Sequence, residues 1–286
     1  MRPTMVDIPR VLCPVDFSDA SRHALEHAVP IARWYHSHIT ALYVIQPEMV
    51  LPPPTLFTDF AAMDEVTAHV AIEARLRRWL GDAERHGLCT DILIEDGDPA
   101  RSIIGHAHPG EFDLVVMGTH GHSGFQHLVL GSVAEKVLRR AACPVLTVPP
   151  KTSSIDLRVP YERLLCPIDF SETSVDALGY AFSMAEEADA DLTLLNVIEF
   201  GRDAEEDVRR RLQALITDDM RIYCKPKVRI ETGKPYERIL EVAAEEHSDL
   251  IVIGVRGRNP IDVALFGSTT NHVVRSAPCP VLTLRK

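Results

Sequence analysis

The 286-residue chain is long enough for two domains of about 140 residues, and its 46% hydrophobic and 25% charged composition is that of a globular protein. Its 30 basic and 41 acidic residues give a net charge of −11, which disfavours nucleic acid and anionic membranes as partners. No apolar run approaches the ~20 residues of a membrane span, and residues 1–10 lack the apolar segment of a signal peptide. Six cysteines without a C-x-x-C pair favour a reducing, cytoplasmic location.

Strands and helices are predicted to alternate along the first half. Short apolar runs predict strands at 10–15, 39–45, 90–95, 112–117 and 145–148. Helices are predicted at 19–38 and 59–86, with Ser18 as the N-cap of the first, and two more begin at Pro99 and at Gly131. This alternation is typical of a doubly wound parallel α/β sheet, for which we expect the strand order 3-2-1-4-5.

The second half repeats the first. Residues around Asp16 and Val44 return 153 positions later, whereas those from Gly97 onward return after 136, so the second half is 17 residues shorter between 44 and 97. The repeated pairs include Asp16 and Asp169, Val44 and Val197, Gly97 and Gly233, and Cys143 and Cys279. The copied elements include strands at 191–198 and 228–231, a helix at 203–220, and Ser171 as an N-cap. We therefore predict two tandem α/β domains, 1–150 and 161–286, joined by a linker at 151–160.

Each half carries one glycine motif, G-x2-G-x9-G-S, between a strand and a helix. The two copies are Gly118, Gly121, Gly131 and Ser132, and Gly254, Gly257, Gly267 and Ser268. A strand, a glycine loop and a helix start form an arrangement that holds a phosphate. We expect Gly118 and Gly254 to let the backbone approach a ligand, and Gly121 and Gly257 to permit positive φ in a tight loop.

The distinctive residues of each half should meet in one crevice. Asp16 ends the first strand and Gly118 the fourth, and these strands are neighbours where the predicted strand order reverses. An aspartate there accepts hydrogen bonds from ribose hydroxyls, and the helix start at Ser132 favours an anion. The pattern predicts a nucleoside phosphate site. The alternative is that Asp16 and Ser18 only cap a helix and the glycines only form turns.

The chain resembles a tandem universal stress protein of the ATP-binding branch. The matching segments are Cys13-Pro-Val-Asp-Phe-Ser18, Met117-Gly-Thr-His-Gly121, Gly131-Ser-Val133 and Cys143-Pro-Val145, with their second-half counterparts. The resemblance covers nearly the whole chain. It implies a five-stranded sheet in each half, with ATP, with or without Mg²⁺, in each crevice. It also implies pairing through the last strands, 145–148 and 281–284, either within the chain or in a homodimer.

The resemblance also implies roles for individual residues. In the first half, Pro14, Val15 and Val44 would line the adenine pocket, and Asp16 would meet the ribose. The ribose and phosphates would be surrounded by Gly118, Gly121, His122, Gly131, Ser132 and Val133. In the second half the same roles fall to Pro167, Ile168, Asp169, Val197, Gly254, Gly257, Arg258, Gly267, Ser268 and Thr269.

The loops inside the two motifs differ. Pro260 removes an amide donor from the second loop, and Asp262 adds a negative charge near the expected phosphates. Arg256 and Arg258 offset that charge. We expect both crevices to bind ATP.

Other chemistry has weaker support. Zinc needs three or four converging ligands, and the pairs His106-x-His108 and His120-x-His122 do not supply them, so no metal site is expected. The chain has no P-loop and no G-x-S-x-G nucleophile elbow, and no general base is duplicated beside the phosphates, so we expect no catalytic residues.

We therefore expect an ATP-binding regulatory protein of the stress response that acts on a protein partner the sequence does not reveal. The alternatives are a slow ATPase or adenylate-forming enzyme on the same fold, and an interaction scaffold that binds no nucleotide.

Overall fold

The computed structural model describes residues 6–46, 65–121, 130–150, 161–199, 204–255 and 267–285. The linker 151–160, residues 59–64 of the predicted second helix, and the site residues His122, Gly257 and Arg258 lie outside these ranges. Within the ranges, no helix has the length and apolar character needed to cross a membrane.

Strands and helices alternate in both halves, as predicted. The first half contains β1 (Arg10–Pro14), α1 (Asp19–Trp34), β2 (His38–Ile45), α2 (Glu65–Arg85), β3 (Thr90–Asp96), α3 (Pro99–His106), β4 (Leu114–Gly118), α4 (Ser132–Arg140) and β5 (Val145–Val148). The second half contains β6 (Arg163–Pro167), α5 (Glu172–Ala188), β7 (Asp191–Ile198), α6 (Glu205–Leu215), α7 (Asp218–Tyr223), β8 (Lys227–Thr232), α8 (Pro235–Glu245), β9 (Leu250–Gly254), α9 (Ser268–Ser276) and β10 (Val281–Leu284).

The strands form one ten-stranded sheet with the order β3-β2-β1-β4-β5-β10-β9-β6-β7-β8. Each half is parallel and has the predicted order 3-2-1-4-5. The two expected five-stranded sheets are joined, because β5 and β10 pair antiparallel with Leu146 opposite Leu282. The side chains of Thr147 and Thr283 each donate to a carbonyl of the opposite strand at 3.1 Å. The last strands therefore pair within the chain.

Two helical elements differ from the prediction. Helix α1 ends at Trp34 rather than at 38, and His36 beyond it adopts a left-handed φ of 52°. The helix predicted at 203–220 is two helices, α6 and α7. The break occurs because Thr217 has an extended backbone and its hydroxyl accepts a hydrogen bond from the Met220 amide at 3.3 Å, which starts a new helix.

Helices cover both faces of the sheet, and the halves touch on both. One core is formed with α1, α2, α5, α6 and α7, and the other with α3, α4, α8 and α9. On the first face, Tyr161 of the second half is 1% exposed and its hydroxyl lies 2.8 Å from His27 Nδ1 of α1. On the second face, Arg275 of α9 lies 3.5 Å from Glu135 of α4.

Candidate functional site

The aspartate of each predicted crevice is fixed by the serine two residues later. Asp16 Oδ1 accepts from the Ser18 amide at 3.0 Å and from the Ser18 hydroxyl at 2.5 Å. Asp169 Oδ1 accepts from the Ser171 amide at 2.9 Å and from the Ser171 hydroxyl. Both serines cap the following helix, as predicted. These bonds hold each carboxylate at the strand end where the chain turns into a helix.

The residue between aspartate and serine is strained in both halves. Phe17 has φ of 64° and Phe170 has φ of 62°, which is the left-handed region. A bulky side chain there costs about 1–3 kcal/mol, and such strain clusters at functional sites. The same strained residue at equivalent positions indicates that both halves need this turn geometry.

Gly118 and Gly254 are required by packing. A Cβ on Gly254 would lie 2.5 Å from the backbone carbon and oxygen of Thr173, and one on Gly118 would lie 3.0 Å from Ala20. Glycine therefore lets the first turn of α5 or α1 approach the strand end, whether or not a ligand is bound. Close approach of a ligand to these two glycines remains a prediction.

At Gly121 the structure shows a different reason for glycine from the positive φ that the sequence suggested. Its φ is not in the left-handed region, and a Cβ there would lie 2.6 Å from Asp16 Oδ2. Glycine is needed because the Asp16 carboxylate lies against it.

Gly131 and Gly267 are the N-cap residues of α4 and α9. In the part of the chain that the structure describes, no side chain caps either helix start. The first-turn amides are therefore left for another acceptor, and the helix dipole favours an anion. Ser132 and Ser268, the first residues of these helices, add a hydroxyl to each start.

A cavity of about 760 Å³ lies at the carboxyl ends of the second-half strands. Its lining includes eight of the ten predicted residues of this half, namely Pro167, Ile168, Asp169, Val197, Gly254, Gly267, Ser268 and Thr269. The other two are the undescribed Gly257 and Arg258. The cavity thus brings together the apolar, acidic and helix-start residues that the sequence placed in one crevice.

The first-half residues occupy the equivalent places. Pro14 ends β1, Val44 lies near the end of β2, Gly118 ends β4, and Ser132 and Val133 begin α4. Since β1 pairs with both β2 and β4 in parallel, these positions share one end of the sheet. Val15 and Ile168 make the same contact, donating to Leu42 and Leu195 carbonyls at 2.8 and 2.7 Å.

The cavity also contains residues that the sequence analysis missed. Asn196 donates to the Ile168 carbonyl at 2.6 Å, where the first half has Tyr43. Tyr236 stacks on His272 with ring centroids 4.4 Å apart, and Lys234 lies 3.0 Å from Glu237. Lys234 lies inside the repeated segment Gly233-Lys-Pro235, where the first half has Asp98, and this position in the repeat could have indicated it. The other lining residues that were not predicted are Phe170, Ser174, Leu195, Ile198, Glu199, Arg211, Pro235, Ile239, Ile253 and Thr270.

The two crevices lie at opposite ends of the sheet. Ligands bind beyond the carboxyl ends of parallel strands. Because β5 and β10 are antiparallel, the carboxyl ends of the two halves point in opposite directions. One small ligand therefore does not touch both crevices.

Two of the histidines noted in the sequence, His106 and His108, make ion pairs. His106 Nε2 lies 2.7 Å from Glu95 and its Nδ1 pairs with Glu111. Burial lowers the pKa of His106, but these two carboxylates outweigh it and raise that pKa above its usual value. Among the described residues, no three candidate ligands converge on a metal position.

Fold and site define a class: a duplicated, doubly wound α/β protein with a crevice where the strand order reverses in each half. The universal stress protein family model matches residues 8–149 and again 160–285. The chain belongs to the universal stress protein family.

Relatives match one half or the whole chain. Universal stress protein MJ0531 of Methanocaldococcus jannaschii is 35% identical over 141 residues, which is 49% of this chain and 81% of the relative. Universal stress protein Rv2005c of Mycobacterium tuberculosis is 24% identical over 267 residues, 87% of each chain. The crystal structure of a universal stress protein from Archaeoglobus fulgidus superposes with a TM-score of 0.75 at 25% identity, covering 96% of this chain and 98% of that one.

Proposed function

We propose that each half of the chain binds ATP in its crevice and that the protein is a regulatory module of the stress response. The observation that carries the proposal is the second-half cavity, which has eight predicted residues on its wall. Its volume of about 760 Å³ is within the range of small-molecule sites.

Different residues of the second-half cavity contact the three parts of ATP in this proposal. Ile168 and Val197 offer an apolar surface to the adenine, and the Asp169 carboxylate accepts hydrogen bonds from the ribose. The first-turn amides of α9 and the Ser268 hydroxyl take the phosphates. Mg²⁺ would bind through the phosphates. Pro14, Val15, Val44, Asp16 and Ser132 take the equivalent roles in the first half.

The proposed role is regulation, and we do not propose that the protein is an efficient catalyst. Phosphoryl transfer needs a placed nucleophile and charge stabilisation. Among the described residues, two carboxylates line the cavity: Asp169, which is assigned to the ribose, and Glu199, which directly follows β7. ATP occupancy would bias the protein between states that a partner protein distinguishes. We place the protein in the cytoplasm, in keeping with its six free cysteines, five of them buried.

Counting bound nucleotide tests the sites. We expect native mass spectrometry with ATP to find two nucleotides per chain, one in Asp16→Ala or Asp169→Ala, and none in the double variant. The loss follows because no other predicted residue replaces the ribose acceptor. Asp82→Ala is the control, since Asp82 pairs with Arg85 on the surface of α2. Thermal unfolding without nucleotide verifies that each variant is folded. Two nucleotides bound to the folded double variant would overturn the site assignment.

A further inference from the structure

An arginine is stacked on the strained phenylalanine beside each crevice. The guanidinium carbon of Arg75 in α2 lies 4.0 Å from the ring centroid of Phe17. That of Arg211 in α6 lies 3.7 Å from the ring centroid of Phe170. Contact with the ring restricts the motion of the guanidinium, so that less freedom is lost when it binds a ligand.

The two arginines are equivalent positions of the repeat. They are separated by 136 residues, the offset that holds from Gly97 onward. Their buried neighbours on the same helices, Leu76 and Leu212, are both 0% exposed and have the same offset. The 17-residue difference between the halves therefore lies before Arg75. Both copies have the arginine although the segment before it changed in length.

Arg211 lines the second-half cavity beside Phe170, the residue that follows Asp169. It lines the same cavity as Asp169 and Ser268. Helix α6 packs on one face of the sheet and α9 on the other. Arg211 and the start of α9 thus approach the cavity from opposite sides of the sheet end, with Asp169 between them in the proposed ligand position.

Both guanidinium groups have donors to offer. Across the described ranges, neither Arg75 nor Arg211 donates a hydrogen bond or forms an ion pair, and each contacts only its phenylalanine ring in this way. An arginine fork matches the oxygens of a phosphate in a bidentate contact. In dinucleotide folds that bind a 2′-phosphorylated ribose, an arginine near the ribose accommodates that phosphate, whereas an acid binds the unmodified 2′-hydroxyl.

We infer that Arg75 and Arg211 bind a second phosphate, carried on the 2′- or 3′-oxygen of the ribose. This inference rests on the proposed function and adds to it a preference for adenine nucleotides that are phosphorylated on the ribose as well as at the 5′ end. The start of α9 takes the 5′-phosphate, and Arg211 takes the ribose phosphate. The two donors from Ser171 to Asp169 Oδ1 reduce the repulsion between the carboxylate and that phosphate.

The test compares AMP with adenosine 2′,5′-bisphosphate and adenosine 3′,5′-bisphosphate by titration calorimetry on the full chain. We expect one of the bisphosphates to bind about tenfold more tightly than AMP, the gain typical of one charge-assisted contact. In the variant Arg75→Ala/Arg211→Ala this gain should disappear while AMP affinity stays the same.

The control variant is Arg77→Ala/Arg209→Ala, which removes the same charge from the same two helices. Arg77 and Arg209 pair with Glu73 and Glu205 on the helix surfaces, and their loss should leave the tenfold preference intact. Equal binding of AMP and both bisphosphates to the unmodified protein would overturn the inference and leave the proposed function standing. An equal loss for all three ligands in Arg75→Ala/Arg211→Ala would also overturn it, since the arginines would then only support the phenylalanines. If neither ATP nor the three probes bind, the proposed function itself fails.

Discussion

Alanine at Gly254 is expected to destabilise the protein by about 3 kcal/mol, at the upper end for overpacking in a close-packed interior. The new methyl group would lie 2.5 Å from the Thr173 carbonyl and 2.7 Å from the Ser174 amide. Both are backbone atoms at the start of α5, so no side-chain rotation relieves the contact. The first turn of α5 must move, and with it the capped turn that holds Asp169. Urea unfolding measures the free energy, and the same variant should lose second-half nucleotide binding.

The matched control is Gly179→Ala, in the middle of α5, where an added Cβ meets no atom within 4 Å. Alanine has the higher helix propensity, so this variant should be more stable by roughly 0.5–1 kcal/mol. Gly118→Ala should be milder than Gly254→Ala, because its nearest contacts are at 3.0 Å. A Gly254→Ala protein as stable as the unmodified one would show that α5 can shift without cost.

The free energy of unfolding is expected to decrease at acidic pH because of the buried side chain of His27. This side chain is 2% exposed, and across the described residues its Nε2 has no hydrogen-bond partner. Burial first, and the nearby charge of His23 second, lower the pKa of His27 well below the ordinary 6.5. As the pH falls through about 6.5, His27 therefore becomes protonated in the unfolded chain but stays neutral in the folded chain. Above that pH, His27 does not reduce the free energy of unfolding. At lower pH, the free energy of unfolding decreases by up to about 1.4 kcal/mol per pH unit.

The measurement is the free energy of unfolding between pH 7 and 5 for the protein and for His27→Leu/Tyr161→Phe. The double substitution removes the buried imidazole and also the hydroxyl that would lose its partner. It should flatten the pH dependence by about one proton's slope. An unchanged slope in the double variant would show that His27 is protonated in the folded state.

Much of the fold could be predicted because the sequence repeats. Asp16 and Asp169 fix the ends of β1 and β6, and Gly118 and Gly254 those of β4 and β9, so the crevice followed from the strand order. The reasons assigned to single glycines were less secure. A sequence shows that Gly121 is glycine, but it does not show that the Asp16 carboxylate lies where a Cβ would be.

The features that were missed depend on contacts between distant segments. The contact between His27 and Tyr161 joins residues 134 apart, one of them directly after the linker, and no local pattern indicates it. Arg75 and Arg211 were not predicted because Arg75 lies between Val44 and Gly97, where the offset between the halves changes from 153 to 136. Extending the later offset back through the buried Leu76 and Leu212 would have found them.

The antiparallel pairing of β5 and β10 joins two halves of one chain, so the two crevices can evolve independently. In a symmetric dimer of single halves, every substitution appears in both binding sites, because one gene encodes both. Here one chain supplies both halves, so a mutation alters one crevice and leaves the other unchanged. Asn196 where the first half has Tyr43, and Lys234 where it has Asp98, are differences of this kind. Every copy of the chain contains one crevice of each kind, and selection can change the residues of each crevice separately.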